Sequence, residues 1–183
     1  REVSGVDLGP LAPSLPRRLQ TKDKRIKLTP KALVDDLPRL RRWMEATRER
    51  ASLTLIGRRE LRSNNSWMHN AARLMKGADR CTLLMHPGDA AARSIADGQL
   101  VTIASRAGAV KAPVEITDAI RPGVVSLPHG FGHDRVGVRL RVARAHAGAS
   151  FNDIADEMRI DELCGTAAFS GTPVEVTVAT PAR

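Results

Sequence analysis

Eleven consecutive residues, Gly57-Arg58-Arg59-Glu60-Leu61-Arg62-Ser63-Asn64-Asn65-Ser66-Trp67, bring together three guanidiniums, two carboxamides, two hydroxyls and an indole. The planar fork of donors on arginine suits phosphate. Asn and Ser carry both donors and acceptors and suit the polar edge of a flat heterocycle such as a base or a pterin. Gly57 lets a backbone come close to a ligand. The competing reading is an Asn/Ser surface turn with solvated arginines. Asn64-Asn65-Ser66 also fits the glycosylation pattern, but no secretory context accompanies it. A second loop, Pro128-His129-Gly130-Phe131-Gly132-His133, sets two imidazoles four positions apart. Its glycines break the helix that an HExxH site needs, and no Glu follows His129, so no zinc site is expected. Gly130, Gly132 and Gly137 do not form GxGxxG and no Walker loop occurs, which excludes a Rossmann or P-loop nucleotide site.

The other charged and nucleophilic residues carry weaker signals. Arg135, Arg139, Arg141 and Arg144 alternate with valines and read first as a solvated face. Asp153, Asp156, Glu157, Asp161 and Glu162 either pair with those arginines or face water. Cys81 and Cys164 lack a CxxC partner; a buried, small apolar role suits them better than a nucleophilic one. Ser63 and Ser66 lack the GxSxG context of a nucleophile elbow. No paired-carboxylate signal is present, so no catalytic residue is assigned.

The elements that must position these loops are short. Residues 1–20, with Gly5, Gly9, Pro10, Pro13 and Pro16, read as an extended arm. A short strand is expected at 25–28. Thr29-Pro30 then starts a helix, with Thr29 as cap and Pro30 in the first turn. A second helix is expected over 37–50, with Leu37, Leu40 and Met44 on one face and a solvated end at Arg48, Glu49 and Arg50. A boundary near Ala51 separates this arm, 1–50, from a strand-rich domain, 51–183. Strands are expected at 52–56, 81–86, 99–105, 109–117, 124–127 and 174–179, with a short helix over 87–95. Arg106-Ala107-Gly108 supplies a hairpin turn, and Pro113 marks an edge or bulge. Six or seven short strands with few helices point to a small closed barrel, because closure removes exposed edges.

Composition narrows the function classes. The 183 residues are 42% apolar and 27% charged, which excludes wholesale disorder. Positive charge concentrates at the start, with 13 Lys/Arg against 7 Asp/Glu in residues 1–50 and 16 against 13 beyond. A basic excess favours phosphate-bearing or acidic partners. Only three Phe and two Trp, with no Tyr, leave little for a single-strand stacking surface. No apolar run is long enough to span a membrane. Two unpaired cysteines and no signal-like segment give the expectation of a cytoplasmic protein.

Taken in order, five stretches resemble one family: LIGRRELRSNNSWMHN (55–70), HPGDAAARSIADGQLVTIASRAGAV (86–110), VEITDAIRPGVVSLPHGFGH (114–133), SFNDIADE (150–157) and FSGTPVEVTV (169–178). The set is similar to the C-terminal dinucleotide-binding domain of molybdopterin oxidoreductases of the dimethyl sulfoxide reductase and formate dehydrogenase-like superfamily. Arg25-Ile26-Lys27-Leu28-Thr29-Pro30 and Asp36-Leu37-Pro38-Arg39-Leu40 resemble the end of the preceding domain in such enzymes.

The resemblance implies a mainly β fold, a six-stranded double-psi β-barrel with short helices behind an extended and helical N-terminal arm. It implies a domain that holds molybdopterin guanine dinucleotide for two-electron chemistry at molybdenum or tungsten, the metal being bound through other domains. The fragment is then not catalytic alone, and its partners are the remaining domains of the parent oxidoreductase and the cofactor, with no membrane and no nucleic acid. Carried onto this sequence, the cofactor-binding residues are Gly57, Arg58, Arg59, Arg62, Ser63, Asn64, Asn65 and Trp67, with His129, Gly130 and Asn152; no metal ligand is implied. Arg58, Arg59 and Arg62 are the expected pyrophosphate-side or pterin-side donors. His86 stands where many members have Asn before Pro. The alternative is a basic double-psi barrel module that binds nucleic acid or a protein partner, motivated by the basic arm and the 135–144 stretch.

Overall fold

The structure is a computed structural model that describes residues 4–48 and 52–180. Backbone contacts divide the chain into two compact units, Arg1–Glu45 and Ala46–Arg183. In the first unit, residues 25–28 form no strand. Their alternation is too short to hold a strand without a neighbour to complete its hydrogen bonds. α1, Lys31–Asp35, begins one residue later than expected, with Pro30 rather than Thr29 at the cap. α2, Leu37–Arg48, follows. Its apolar stripe of Leu37, Leu40 and Met44 remains about half exposed. The expected solvated end, from the Arg48 side chain through Glu49 and Arg50, and the boundary residue Ala51 lie outside the described residues.

The second unit is a closed six-stranded barrel in the order β1-β5-β2-β4-β3-β6. The strands are β1 (Leu53–Arg58), β2 (Leu83–Met85), β3 (Leu100–Ala104), β4 (Ala109–Ile116), β5 (Val124–Pro128) and β6 (Thr172–Val178). Two pairings are parallel, β1 with β5 and β2 with β4. Alternation fixes which side chains enter the barrel. Leu53 and Leu55 of β1, Leu83 and Met85 of β2, Val101 and Ile103 of β3, and Val174 and Val176 of β6 are all buried in one apolar core.

Several boundaries differ from expectation for local reasons. β2 is only three residues long, so Cys81 precedes it, buried, with its Sγ accepting from the Ala149 N–H at 3.2 Å. The helix expected over 87–95 is α3, Pro87–Ala91, and turns replace it beyond. Its start is capped by His86, whose Nδ1 accepts from the Gly88 N–H at 3.1 Å. An imidazole nitrogen here does the capping that a short polar side chain usually does. Pro113 sits where β4 passes from pairing with β3 to pairing with β2, its neighbours being Leu100 opposite Pro113 and Leu83 opposite Val114. No free edge is involved. α4, Arg141–Ala145, is capped from a distance: Asn70 Oδ1 accepts from the N–H groups of Val142 and Ala143 at 3.0 and 3.4 Å.

Candidate functional site

Strand β1 delivers its chain into a long connection, residues 59–82, that contains turns but neither helix nor strand. The sequence explains this locally. Ser63, Asn64, Asn65 and Ser66 are residues whose side chains compete for backbone hydrogen bonds. Asn64 and Asn65 both adopt positive φ, 41° and 62°, which asparagine tolerates better than most residues. Short turn bonds hold the rest, Ser63 N–H to Glu60 O at 3.0 Å and Met68 N–H to Ser63 O at 3.0 Å among them.

That connection meets the loop after β5 across a cleft of about 430 Å³, a size within the range of small-molecule sites. Asn65 and Ser66 line one side; His129, Gly130, Phe131 and His133 line the other, with Ser150, Phe151, Asn152 and Phe169 completing it. Two glycines allow the approach. A Cβ at Gly57 would overlap the His129 imidazole, and a Cβ at Gly130, φ +86°, would overlap the Asn65 carbonyl. Three rings form a near-parallel stack. His129 lies 4.5 Å from Phe169 at 17° and 5.1 Å from Phe151 at 24°, and the two phenylalanines are 4.2 Å apart. Burial, then the nearby charge of Arg59, holds the His129 pKa below the ordinary imidazole value. The stack therefore presents a neutral ring at neutral pH.

The residues singled out in the sequence divide into three groups. Asn65, His129, Gly130 and Asn152 line the cleft, and Gly57 seats His129. Arg59, Arg62, Asn64 and Trp67 are exposed on the connection without lining it, Trp67 being 82% exposed. Arg59 and Arg62 make no ion pair among the described residues. Arg58 and Ser63 turn inward. The Arg58 guanidinium donates to Glu60 Oε1 at 2.9 Å, to the Ser126 carbonyl at 2.6 Å, and to the Thr82 carbonyl and hydroxyl at 2.9 and 3.0 Å. Those bonds commit it to joining β1, β5 and the approach to β2. Ser63 is fully buried, and its Oγ has no partner among the described residues.

Sequence reasoning missed Ser66, Ser150, Phe151 and Phe169 as lining residues, and it missed the partner of His133. His69, fully buried, places Nδ1 2.7 Å from Nε2 of His133. The signal was present in the Trp67-Met68-His69-Asn70 run, but the spacing of His129 and His133 drew attention to the wrong pair. Among the described residues no group of three His, Cys, Asp or Glu side chains is arranged to hold a metal. The Arg135–Arg144 stretch is partly neutralised, with Arg135 paired to Asp153. Cys81 is buried and its thiol pKa is pushed up by that burial, which disfavours a nucleophilic role.

Residues 53–173 match the sequence family described as "Molydopterin dinucleotide binding domain". Dimethyl sulfoxide/trimethylamine N-oxide reductase of Rhodobacter capsulatus is 42% identical over 60 residues, 33% of this chain and 7% of that protein. Trimethylamine-N-oxide reductase of Haemophilus influenzae is 45% identical over 56 residues, 31% of this chain and 7% of that protein. Acetylene hydratase from Pelobacter acetylenicus shares the fold, with a TM-score of 0.58 at 18% identity over 80% of this chain and 20% of its own. The matched stretches span about 7% of the length of these curated relatives.

Proposed function

Because the chain belongs to the molybdopterin dinucleotide-binding domain family, we propose that it is the C-terminal cofactor-holding domain of a molybdenum or tungsten oxidoreductase, formate dehydrogenase-like in its parent architecture, and that its ligand is molybdopterin guanine dinucleotide. The observation that carries the reading is the cleft between the 59–82 connection and the loop after β5. Its donor set fits such a group. Asn65, Ser66 and Asn152 supply amides and a hydroxyl for a heterocycle edge. The stack of His129, Phe169 and Phe151 supplies flat apolar surface. Arg59 and Arg62 are exposed cations for phosphate.

When bound, the group supplies the sulfur ligands through which a metal undergoes two-electron redox chemistry. The work left to this chain is binding and orientation. Arg59 and Arg62 neutralise the diphosphate. Asn65, Ser66 and Asn152 orient the heterocycle, while the neutral His129 ring covers it and excludes water. Arg58 acts one layer behind, holding β1 to the Ser126 and Thr82 carbonyls, and the phosphate role passes to its two exposed neighbours.

The two parallel pairings in a closed barrel support a double-psi arrangement of the strands. The first unit is read as the end of the preceding domain, and the other domains of the parent are the partners of this one. No described helix is long and apolar enough to cross a membrane. Two free cysteines, one buried and one exposed, suit the cytoplasm.

Equilibrium binding of GDP, which carries the guanine and diphosphate end of the ligand, tests the reading. Saturable binding that Arg59→Ala/Arg62→Ala weakens by about tenfold or more, the loss of charge-assisted bonds, is the expected result. Arg58→Ala instead lowers stability by about 1–3 kcal/mol, because it strands buried carbonyls. Unchanged GDP binding in the double variant, or tight salt-sensitive binding of an oligonucleotide in its place, overturns the reading.

A further inference from the structure

The proposed cofactor contacts leave a pair of imidazoles unused, His133 on the wall of the cleft and His69 buried. The Nδ1–Nε2 contact of 2.7 Å joins His69 and His133 across 64 positions of sequence. The rings meet edge to face at 86°, and His69 rests on Phe131 with centroids 4.4 Å apart. His69 belongs to the same connection as Asn65 and Ser66, and His133 to the same loop as His129 and Gly130. Those four residues line the two facing sides of the cleft.

Counting protons shows what the contact can hold. One N···N contact takes one hydrogen. Nε2 of His69 is buried and has no partner among the described residues. A buried N–H without an acceptor is rarer and costlier than an acceptor left unused. The hydrogen is therefore assigned to Nδ1 of His69, which donates to Nε2 of His133. A second hydrogen has no good place. On Nε2 of His69 it is an unpaired donor, and the charge it adds is opposed by Arg80. On Nε2 of His133 it faces the N–H of His69. Moving the His69 hydrogen to relieve that clash puts it on the same orphaned Nε2. Protonation therefore either breaks the shared contact or puts a hydrogen on Nε2 of His69, which has no acceptor among the described residues; the Gly130 carbonyl opposes this by favouring the charged forms of both rings.

We propose that His69 and His133 form a proton-sensitive latch, in which one shared N–H ties the 59–82 connection to the loop after β5, holds the two sides of the cleft in register, and lets go when the pair takes up a proton. What the cleft then fails to hold rests on the cofactor reading; the latch itself does not. The surrounding charges agree with a latch closed at neutral pH. Burial, then His133, then Arg80 lower the pKa of His69, against the Gly130 carbonyl. Burial lowers that of His133, against the Gly130 carbonyl and Asp134. Phe131, on which His69 rests, carries no charge.

The test uses the 183-residue chain with Trp43→Phe, so that Trp67, two positions from His69, is the only indole. Scalar coupling between the two ring nitrogens, read by nitrogen-15 NMR, reports the shared hydrogen directly. The expected result is coupling at pH 7.5 that persists through the ordinary imidazole range and disappears only as pH falls below it, in step with a change in Trp67 emission. His133→Gln, whose amide oxygen can accept in place of Nε2 but does not titrate there, is expected to remove the transition while the chain stays folded. GDP affinity, measured beside it, falls by up to roughly tenfold across the same pH range in the unsubstituted chain, the equivalent of one hydrogen bond, and stays level in His133→Gln. Independent titration of the two imidazoles near their ordinary value overturns the latch, as does an unaltered Trp67 transition in His133→Gln. A transition with no GDP binding at any pH upholds the latch and counts against the cofactor reading instead.

Discussion

The barrel and the connection that closes over it satisfy their polar groups by different means. In the barrel, ladders do the work: β1 is paired on both sides, with β5 and with β6, and its alternate side chains, Leu53 and Leu55, are buried among apolar neighbours. The 59–82 connection has no ladder. It relies on single turn bonds and long side chains, and the three buried side-chain atoms without a partner among the described residues, Ser63 Oγ, His69 Nε2 and Arg80 Nε, all lie in it. It also exposes Leu61 and Trp67 to solvent, at 98% and 82%. The barrel is complete as a folded object. The connection carries polar capacity that folding alone does not use, which is the expected signature of a ligand-bearing segment on a rigid scaffold.

The contrast breaks first under truncation of apolar side chains. Leu83→Ala, in the barrel and fully buried, is expected to cost about 2–5 kcal/mol. Leu61→Ala, on the connection, is expected to stay within about 0.5 kcal/mol. Urea denaturation of both variants decides it, and equal losses would mean that the connection is packed as tightly as the barrel. Gly130→Ala comes next and acts where the two regions touch. It adds the strain of φ +86° to an overlap with the Asn65 carbonyl. Gly123→Ala supplies the control, because φ is +80° there with open space around. Strain alone costs roughly 1–2 kcal/mol, and overpacking adds about 1–3. Gly130→Ala is therefore expected to melt lower than Gly123→Ala by several degrees and to lose GDP binding, while Gly123→Ala keeps it.

The same contrast governs what the sequence made legible. The strand at 99–105 and the turn at Arg106-Ala107-Gly108 were legible, because these are signals between near neighbours. The boundaries of β2 were overextended, because Cys81 and Thr82 look like strand residues yet leave the ladder. The family motifs brought His129, Gly130, Asn65 and Asn152 into one candidate set, and the structure lines one cleft with them. Three features stayed hidden for a common reason. The cap of α4 by Asn70, the seat of His129 on Gly57 and the His69–His133 bond each join residues more than sixty positions apart. No local period reports such pairs. Arg58 illustrates the limit most plainly: its type suits phosphate as well as Arg59 does, and only the Ser126 and Thr82 carbonyls show that its donors are occupied.

Acid separates the two regions by smaller effects and at different pH. His69, His129 and His133 all have pKa values lowered by burial. Each is neutral in the fold and charges more readily when unfolded, so the stability each contributes is present above pH about 6.5 and is lost as pH falls through the lowered values. The barrel has its own acid-sensitive staple. Arg106, in the β3–β4 turn, donates from Nε to Asp156 Oδ2 at 2.8 Å, and this bond first of all lowers the Asp156 pKa to about 2. That contribution is present above the ordinary carboxylate range and is lost only as pH falls toward 2. Asp156→Asn is expected to leave the histidine-linked loss below the ordinary imidazole range intact and to flatten a shallow slope at the acid end of a stability-versus-pH curve. His133→Gln is expected to do the reverse, reducing the loss below the ordinary imidazole range and sparing the acid limb. If Asp156→Asn shifted the higher transition, the staple and the histidine pair would be coupled through the segment from Ser150 to Asp156, and the barrel would no longer be a scaffold indifferent to the state of its cleft.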